Sequence, residues 1–225
     1  MTASGTRDDA CRELRVTKHH HACVFVEDDA TRLLIDPGQF GTPPPLDDVD
    51  GVLVTHEHFD HLDPAVIAAA QDRAIPVWLP ADARRQCGSS AHLHDAVPGE
   101  TFTIGTLSVS VGADRHAAVH PELPGCLNRS YTIAGYVLIT GDAHPDPGGR
   151  VAALVTPIDA PWLRAVDLIR YVRTVRPDWV LGIHDGLLND TGRAVAASVA
   201  ASLTAEGASR ANVLADGQTV SITSS

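Results

Sequence analysis

The segment from Val54 to Ile67, VTHEHFDHLDPAVI, limits the folds open to this chain more than any other stretch of its sequence. Three histidines and two acidic residues fall within positions 56–61, directly after the apolar run GVLV, which predicts a strand. Asp63 suits a helix N-cap and Pro64 suits the first helical position, so a helix is predicted to begin just after the cluster. The cluster is therefore expected in a loop between the carboxyl end of a strand and a helix.

The spacing within this loop predicts ligands for two cations. Alternate side chains of an extended segment point the same way, so His56 and His58 can converge on one ion while the adjacent Asp60 and His61 turn toward a second. Imidazole and carboxylate suit zinc, with manganese or iron as alternatives, and the lack of cysteine ligands is untypical of a closed structural zinc site. The competing interpretation is a surface loop that is merely rich in histidine, which would need no ligands from elsewhere in the chain. We predict an open, reactive two-metal site.

Charge and cysteine content narrow the classes of partner and compartment. The 225 residues include 17 basic and 28 acidic side chains, a net charge of −11, and Lys18 is the sole lysine. Because basic residues bind phosphate backbones, a nucleic-acid partner is not expected. The sequence shows no signal-peptide core near its start and no run approaching the ~18 apolar residues of a membrane span, so no membrane association is expected. The four cysteines, among them Cys11, are scattered without a C-x-x-C pair, which disfavours a disulfide framework and favours a cytoplasmic protein.

The whole sequence, residues 1–225, predicts a single α/β domain. No repeat or long linker divides it. Two late segments have helical periodicity, PWLRAVDLIRYVRTVR and TGRAVAASVAASLTAEG. Many strands with few helices fit two sheets packed together with helices outside them. The runs that predict strands are LRVTK, ACVFVE, TRLLIDPG, GVLVT, IPVWLP, TFTI, LSVSV, SYTIAGYVLIT, VAALVTPI and WVLGIHD.

Several motifs together resemble those of one known superfamily. The pattern T/S-H-x-H-x-D-H is met in full by Thr55, His56, His58, Asp60 and His61. Further motif residues each follow an apolar run: Asp36 in LLIDPG, Asp142 in ITGDAHPD and His184 in LGIHDG. In these features the chain resembles the metallo-β-lactamase fold superfamily, and in particular its compact, largely uncharacterised metal-dependent hydrolases. The resemblance implies a four-layer αβ/βα sandwich of two mixed β-sheets with outer helices.

The resemblance also implies a set of metal ligands. A first metal would be held by His56, His58 and His116, a second by Asp60, His61 and His184, and Asp142 would bridge them. His116 directly follows the run LSVSVGADR and is preferred to His120, the alternative ligand in the same segment. In that assignment His120 lines the pocket and, with Asp60, takes part in catalysis. Asp36 would orient a ligand histidine, as metal-bound imidazoles usually require.

Three more residues are candidates for the pocket. His21 in KHHHACV resembles the early G-H-A/S segment of the superfamily, with His20 in place of the usual glycine. It is expected at the pocket edge, and the alternative is an ordinary histidine at a strand end. His144 lies just beyond Asp142 and is a candidate substrate contact or proton donor. Trp162 in APWLR either walls the pocket or packs in the core.

The function implied by the resemblance is hydrolysis of a small molecule. The site would hold two zinc ions per chain, with manganese or iron as alternatives, and a metal-bridging hydroxide would attack an ester, lactone, amide or phosphodiester. A non-catalytic metal-binding or ligand-sensing module is the alternative function, and oxidative chemistry at iron is a third. A homo-oligomer is compatible with the sequence.

Overall fold

The structure is a computed structural model that describes residues 12–123 and 125–224. Cys11 and the N-terminal stretch in which we expect no signal peptide lie outside the described residues. Within those two ranges, none of the helices is long and apolar enough to cross a membrane.

The described residues form sixteen strands and three α-helices, with two short 3₁₀ turns at Ala83–Gln86 and Leu203–Ala205. The helices are α1 (Pro64–Asp72), α2 (Ala165–Val175) and α3 (Asp190–Ser202). The strands are β1 (Glu13–His20), β2 (Cys23–Glu27), β3 (Arg32–Ile35), β4 (Gly51–Leu53), β5 (Val77–Leu79), β6 (Leu93–Asp95), β7 (Thr101–Ile104), β8 (Leu107–Val111), β9 (Asp114–Arg115), β10 (Leu127–Asn128), β11 (Tyr131–Ile133), β12 (Val137–Ile139), β13 (Ala153–Pro157), β14 (Trp179–Ile183), β15 (Arg210–Val213) and β16 (Thr219–Thr223).

In the described part of the chain these strands form two seven-stranded mixed sheets and a small ribbon of β9 and β10. The first sheet has the order β16-β1-β2-β3-β4-β5-β6, and the second has the order β15-β14-β13-β12-β11-β8-β7. Strands β3 to β6 are parallel in the first sheet, and β12 to β15 are parallel in the second. Each sheet therefore has a parallel half, which must be covered by helices on its outer face.

Buried apolar residues divide the molecule into four layers. One cluster fills the space between the sheets and includes Val16 and Val24 from the first sheet with Val109 and Val155 from the second. A second cluster packs α1 against the outer face of the first sheet, and a third packs α2 and α3 against the outer face of the second. This arrangement confirms the predicted α/β fold of two mixed sheets with outer helices.

The strand-loop-helix unit around the histidine cluster forms as predicted. The Asp63 side chain accepts a hydrogen bond from the backbone N–H of Ala65, and Pro64 is the first residue of α1. An N-cap of this type stabilises a helix by about 1 kcal/mol relative to alanine. The helix start therefore fixes where the ligand loop ends.

Several predicted boundaries differ from the structure. The run SYTIAGYVLIT is two strands, β11 and β12, because Ala134 and Gly135 both adopt positive φ in the tight turn between them. Helix α2 begins at Ala165 rather than near Pro161, since the preceding residues form a turn that carries Trp162 toward the second sheet's loops. The short strands β6, β9, β10, β15 and β16 were absent from the prediction, because runs of two to five residues with mixed polarity give a weak signal.

The parallel strands bring the predicted motif residues to one edge of the molecule. Asp36 directly follows β3, and the segment from Thr55 to His61 follows β4. In the second sheet Asp142 follows β12 and His184 directly follows β14. The carboxyl ends of parallel strands are the usual position of ligand sites in α/β proteins. The two parallel halves therefore face each other across a common site.

Candidate metal centre

Among the described residues, the predicted ligands converge in three groups of possible metal-binding side chains, one of which also includes His21. The ligand atoms of His56, His58 and His116 lie within 4.8 Å of one another. A second group with the same spacing consists of His21, Asp60, His61 and His184, and a third joins His56 and His61 to Asp142.

Asp142 lies between the first two groups. Its Oδ1 is 3.2 Å from His61 Nε2, and its Oδ2 is 3.3 Å from His116 Nε2 and 3.4 Å from His184 Nε2. The Asp142 carboxylate therefore contacts imidazoles of both predicted metal positions, as a bridging ligand must.

The hydrogen bonds of four histidines determine which ring nitrogen is available to bind a metal ion. In each ring Nδ1 donates to a nearby oxygen, so in the neutral imidazole Nε2 keeps an unshared electron pair. The acceptors are Thr55 Oγ1 at 3.0 Å for His56, Asp36 Oδ2 at 2.8 Å for His61, the Ala117 carbonyl at 2.7 Å for His116 and the Asp159 carbonyl at 2.7 Å for His184. Metal-ligating histidines are oriented in this way.

Buried polar atoms at the centre fit a cation. Nε2 of His56, His61 and His184 and Oδ1 of Asp142 are buried and have no hydrogen-bond partner. Although His61 Nε2 and Asp142 Oδ1 are close, their geometry is not that of a hydrogen bond. Burying unpaired polar atoms costs several kcal/mol in sum. A divalent cation with nitrogen and oxygen ligands would offset that cost, so the residues present fit a metal site.

The charges of the site are strongly coupled. Burial lowers the pKa of His56 well below its usual value, so this ring is neutral. Burial, the largest single influence, would raise the pKa of Asp142, but the charge of His61 and the close polar contacts with His116 and His61 together outweigh it, so the pKa falls well below the usual range. Burial likewise opposes charge on His61, yet the carboxylates of Asp142 and Asp36 raise its pKa well above the usual value. Without metal, His61 is therefore an imidazolium between two carboxylates.

We expect His61 to release about one proton per chain when metal binds at pH 7, in addition to any proton lost by a metal-bound water. His61 must lose its Nε2 proton to become a ligand, whereas His56 is already neutral because its pKa is lowered. Since the pKa of His61 is raised, the release should persist through neutral pH and vanish only above that pKa. Calorimetric titration with zinc in buffers of different ionisation enthalpy measures the number of protons. A value near zero at pH 7 would contradict the charge assignment.

His21 differs from the other histidines of the centre. Its Nδ1 accepts a hydrogen bond of 3.0 Å from the backbone N–H of Gly186, so its Nε2 carries the proton. That Nε2 lies 3.3 Å from Asp60 Oδ2, and the ring packs 3.9 Å from the ring of His184. His21 is buried inside the site rather than at its edge or at an ordinary strand end. It acts as a hydrogen-bond donor to a predicted ligand and not as a ligand itself.

Asp36 ties the loops after β3 and β4 together. Its carboxylate accepts hydrogen bonds of 2.7 Å from both the N–H and the hydroxyl of Thr55, besides the one from His61. A Cβ on Gly38 would lie 1.9 Å from the Asp60 carbonyl oxygen, so the two loops meet where only glycine fits. Asp36 thus orients a histidine of the centre, in the position that the sequence indicates.

Backbone strain is concentrated at the same place. His21, Asp36 and His184 adopt φ of 51°, 49° and 68°. The left-handed region costs roughly 1–2 kcal/mol for a residue with a Cβ, and such residues cluster at functional sites. The strained backbone at these three positions lowers the stability of the loops, and it directs the three side chains into the site.

Trp162 contacts the centre directly. Its indole N–H donates a 2.9 Å hydrogen bond to Asp142 Oδ2. His144 lies behind it, with its ring 5.4 Å from the indole and stacked 4.5 Å from Tyr171. Trp162 therefore orients the carboxylate of Asp142, a role that differs from both walling the pocket and core packing. His144 is half-buried in this aromatic stack, which leaves it as a support rather than a rim residue.

Trp162→Phe is expected to weaken metal binding about tenfold, because the ring remains but the donor to Asp142 is lost. Metal binding should also change the tryptophan emission of the native protein, and this change should disappear in the variant. Trp78→Phe is the matched control, since Trp78 stacks on Phe102 away from the centre. An unaltered affinity together with an unaltered emission change in Trp162→Phe would contradict the assigned role.

The structure separates the two candidate histidines of the segment after β8. His116 is buried and belongs to the first ligand group. His120 is exposed, its Nδ1 accepts a hydrogen bond from the Glu122 N–H, and it belongs to none of the converging groups among the described residues. His120 is therefore not brought to the ligand groups, because its turn directs it to solvent, and its predicted part in the pocket stays a prediction.

Two features of the site were not predicted from the sequence. Cys126 Sγ lies 3.8 Å from His58 Nε2, and no motif in the sequence indicates this contact. Lys18 is fully buried and pairs with Asp185, the residue after His184. A signal for Lys18 did exist, since strand alternation places it on the same face as the buried Leu14 and Val16.

Comparison with known proteins gives consistent matches. Residues 15–184 match the family model described as the beta-lactamase superfamily domain. Protein Rv0786c of Mycobacterium tuberculosis is 28% identical over 188 residues, which cover 81% of this chain and 89% of that protein. A UPF0173 metal-dependent hydrolase of Desulfitobacterium hafniense is 31% identical over 132 residues, which cover 55% of this chain and 54% of that protein. Among solved structures, Igni18, a metallo hydrolase of Ignicoccus hospitalis, superposes with a TM-score of 0.66 at 16% identity and covers 93% of this chain and 98% of its own.

Proposed function

This chain belongs to the β-lactamase superfamily and is a metal-dependent hydrolase, and from that premise we propose that it hydrolyses a small molecule at two zinc ions. The first ion would be bound by His56, His58 and His116, and the second by Asp60, His61 and His184, with Asp142 between them. Manganese or iron would accept the same nitrogen and oxygen ligands.

One observation carries the proposal. Four imidazoles each donate a hydrogen bond from Nδ1 to an oxygen, which leaves Nε2 as the nitrogen available to a cation, and the Nε2 atoms of three of them lie within 3.4 Å of the buried Asp142 carboxylate. Such an arrangement is costly without a cation and favourable with one. It supports an open metal site, because a closed structural zinc is usually held by cysteine.

Bound zinc would lower the pKa of a water between the two ions toward neutrality, supply hydroxide there and stabilise the charge that develops on the substrate. The chain's own residues position this chemistry. Asp36 holds the ring of His61, and Trp162 holds the carboxylate of Asp142. His21 keeps a proton on Nε2 beside Asp60 Oδ2, which orients that carboxylate toward His184.

The surroundings support a small substrate in a reducing compartment. A net charge of −11 is unfavourable for polyanions such as nucleic acids. Cys23, Cys87 and Cys126 are free thiols within the described residues, which favours the cytoplasm. The proposal therefore includes a small-molecule substrate, a cytoplasmic location and a homo-oligomer.

Metal content and turnover test the proposal together. Protein purified without added metal is loaded with zinc, manganese or iron(II), and bound metal is measured by elemental analysis. Turnover is assayed on ester, lactone, amide and phosphodiester substrates before and after chelation. Two equivalents of zinc and a turnover that chelation abolishes and zinc restores are expected. Full zinc loading with no turnover on any of these substrates would contradict hydrolysis at this site.

A further inference from the structure

A cavity of about 340 Å³ opens directly beside the first ligand group. Its lining includes His58 and His116. The same lining continues with Ala117, Ala118 and Val119 and with Leu123 across the cavity. Small-molecule sites have this character, with apolar walls and a few polar groups at one end. The cavity is therefore continuous with the predicted reaction centre.

The loops that carry the ligands also expose apolar side chains. Val119 is 63% exposed and Leu123 is 64% exposed, and both face this cavity. Phe59, between two ligands of the histidine cluster, is 57% exposed, and Leu187, three residues after His184, is 62% exposed. Single exposed apolar residues need no explanation, but Val119 and Leu123 line the same cavity, and together they indicate a surface that an apolar ligand covers.

The charges around the cavity disfavour an anionic ligand. Apart from the histidines and Cys126, Glu57 is the one ionisable side chain in this lining within the described part of the chain. Arg115 donates from Nη1 to the Gly125 carbonyl at 3.0 Å and does not line the cavity. Among the lining residues a phosphodiester would therefore meet one carboxylate and no lysine or arginine, so that only the metal ions would offset its charge.

We infer that the substrate is a neutral carboxylic ester or lactone whose apolar acyl group occupies this cavity. The inference rests on the proposed hydrolysis and narrows its substrate. In the reaction the oxygen of water bonds to the acyl carbon, and the bond from that carbon to the ester oxygen breaks. The alcohol oxygen takes one proton of the water, and the products are a carboxylic acid and an alcohol, or a hydroxy acid from a lactone.

Turnover on a matched series is the first test. The zinc-loaded protein is assayed with 4-nitrophenyl acetate, butyrate and hexanoate and with bis(4-nitrophenyl) phosphate. Each buried methylene is worth about fourfold in kcat/KM, so butyrate, with two more methylenes, should exceed acetate by roughly fifteenfold, and the phosphodiester should be far slower than butyrate. A flat response to acyl length, or a preference for the phosphodiester, would overturn the inference while leaving hydrolysis intact.

The second test introduces a negative charge at the cavity mouth and measures the ratio of kcat/KM for butyrate to that for acetate. Val119→Asp and Leu123→Asp should bring the butyrate-to-acetate ratio close to one, since an apolar chain would then meet a carboxylate. Both positions are exposed, so the substitutions do not disturb the core. Val195→Asp on α3, where the side chain is 60% exposed, is the matched control and should keep the native ratio. A native ratio in both cavity variants would overturn the inference.

A binding measurement separates this inference from the proposed function. Cys126 lines the cavity, while Cys87 does not, and burial raises the pKa of both thiols to about 11. Alkylation by N-ethylmaleimide is followed at each thiol by mass spectrometry, with hexanamide or diethyl phosphate present. Hexanamide should slow the labelling of Cys126 at least threefold and leave Cys87 unchanged. Such protection without turnover on any ester, lactone, amide or phosphodiester would retain the apolar site and contradict hydrolysis, whereas equal protection by diethyl phosphate would overturn the apolar site.

Discussion

Asp142→Asn is expected to lower the hydrolytic rate by about a thousandfold or more. Asp142 contacts imidazoles of both ligand groups, and its charge offsets that of the cations. The amide would place N–H hydrogens against Nε2 atoms or a cation, where the carboxylate placed only oxygen. Metal ions contribute several kcal/mol of charge stabilisation to such reactions, and each 1.36 kcal/mol corresponds to a tenfold change in rate.

Rate and metal stoichiometry measured together check this prediction. Elemental analysis after dialysis should show fewer than two equivalents of zinc in Asp142→Asn, and circular dichroism should show a native fold. Asp29→Asn is the matched control, because the Asp29 side chain is 96% exposed and pairs only with Arg15 among the described residues. If Asp142→Asn kept two zinc ions and the native rate, Asp142 would not be the shared ligand.

Lys18→Met is expected to lower the free energy of unfolding by about 3–5 kcal/mol. Lys18 is fully buried and contacts the Asp185 carboxylate, the Leu214 carbonyl at 3.0 Å and Asp216 Oδ1 at 3.0 Å. Removing the ammonium leaves the buried Asp185 charge without its partner, and such a charge is far costlier than a missing surface pair. For a chain of this size the midpoint temperature should fall by roughly 2–4 °C per kcal/mol.

Urea unfolding of the metal-free protein measures this effect. Asp216→Asn should cost no more than about 1 kcal/mol, because the Asp216 side chain is 50% exposed and solvent screens its charge. Lys18→Met combined with Asp185→Leu should recover part of the loss, since both buried charges are then gone. A loss below 1 kcal/mol in Lys18→Met alone would show that solvent reaches the pair.

The ion pair also connects stability to the site. Asp185 follows His184, whose backbone has a φ of 68° and whose N–H donates to the His21 carbonyl at 3.0 Å. Lys18 therefore anchors the strained segment that presents a predicted ligand. Zinc affinity of Lys18→Met should fall along with its stability, because the segment would relax away from the centre.

Local sequence determined the part of the site that lies in one strand-loop-helix unit. The apolar run before His56, the alternation of His56 and His58, and the cap at Asp63 act over a few residues, so their pattern is visible without a fold. The same holds for the acids and histidine that directly follow buried parallel strands, Asp36, Asp142 and His184. These motifs were sufficient to predict the fold class and the family.

Tertiary structure alone decided the roles that depend on distant partners. His116 and His120 lie in one irregular segment of similar composition, and only the packing of that segment buries one and exposes the other. His21 is a donor because the N–H of Gly186 reaches it from 165 residues away, and the Trp162 indole reaches Asp142 because its turn precedes α2. Local pattern fixes which backbone conformation a residue adopts, whereas its protonation and hydrogen bonds are fixed by groups that meet it only after the sheets have packed.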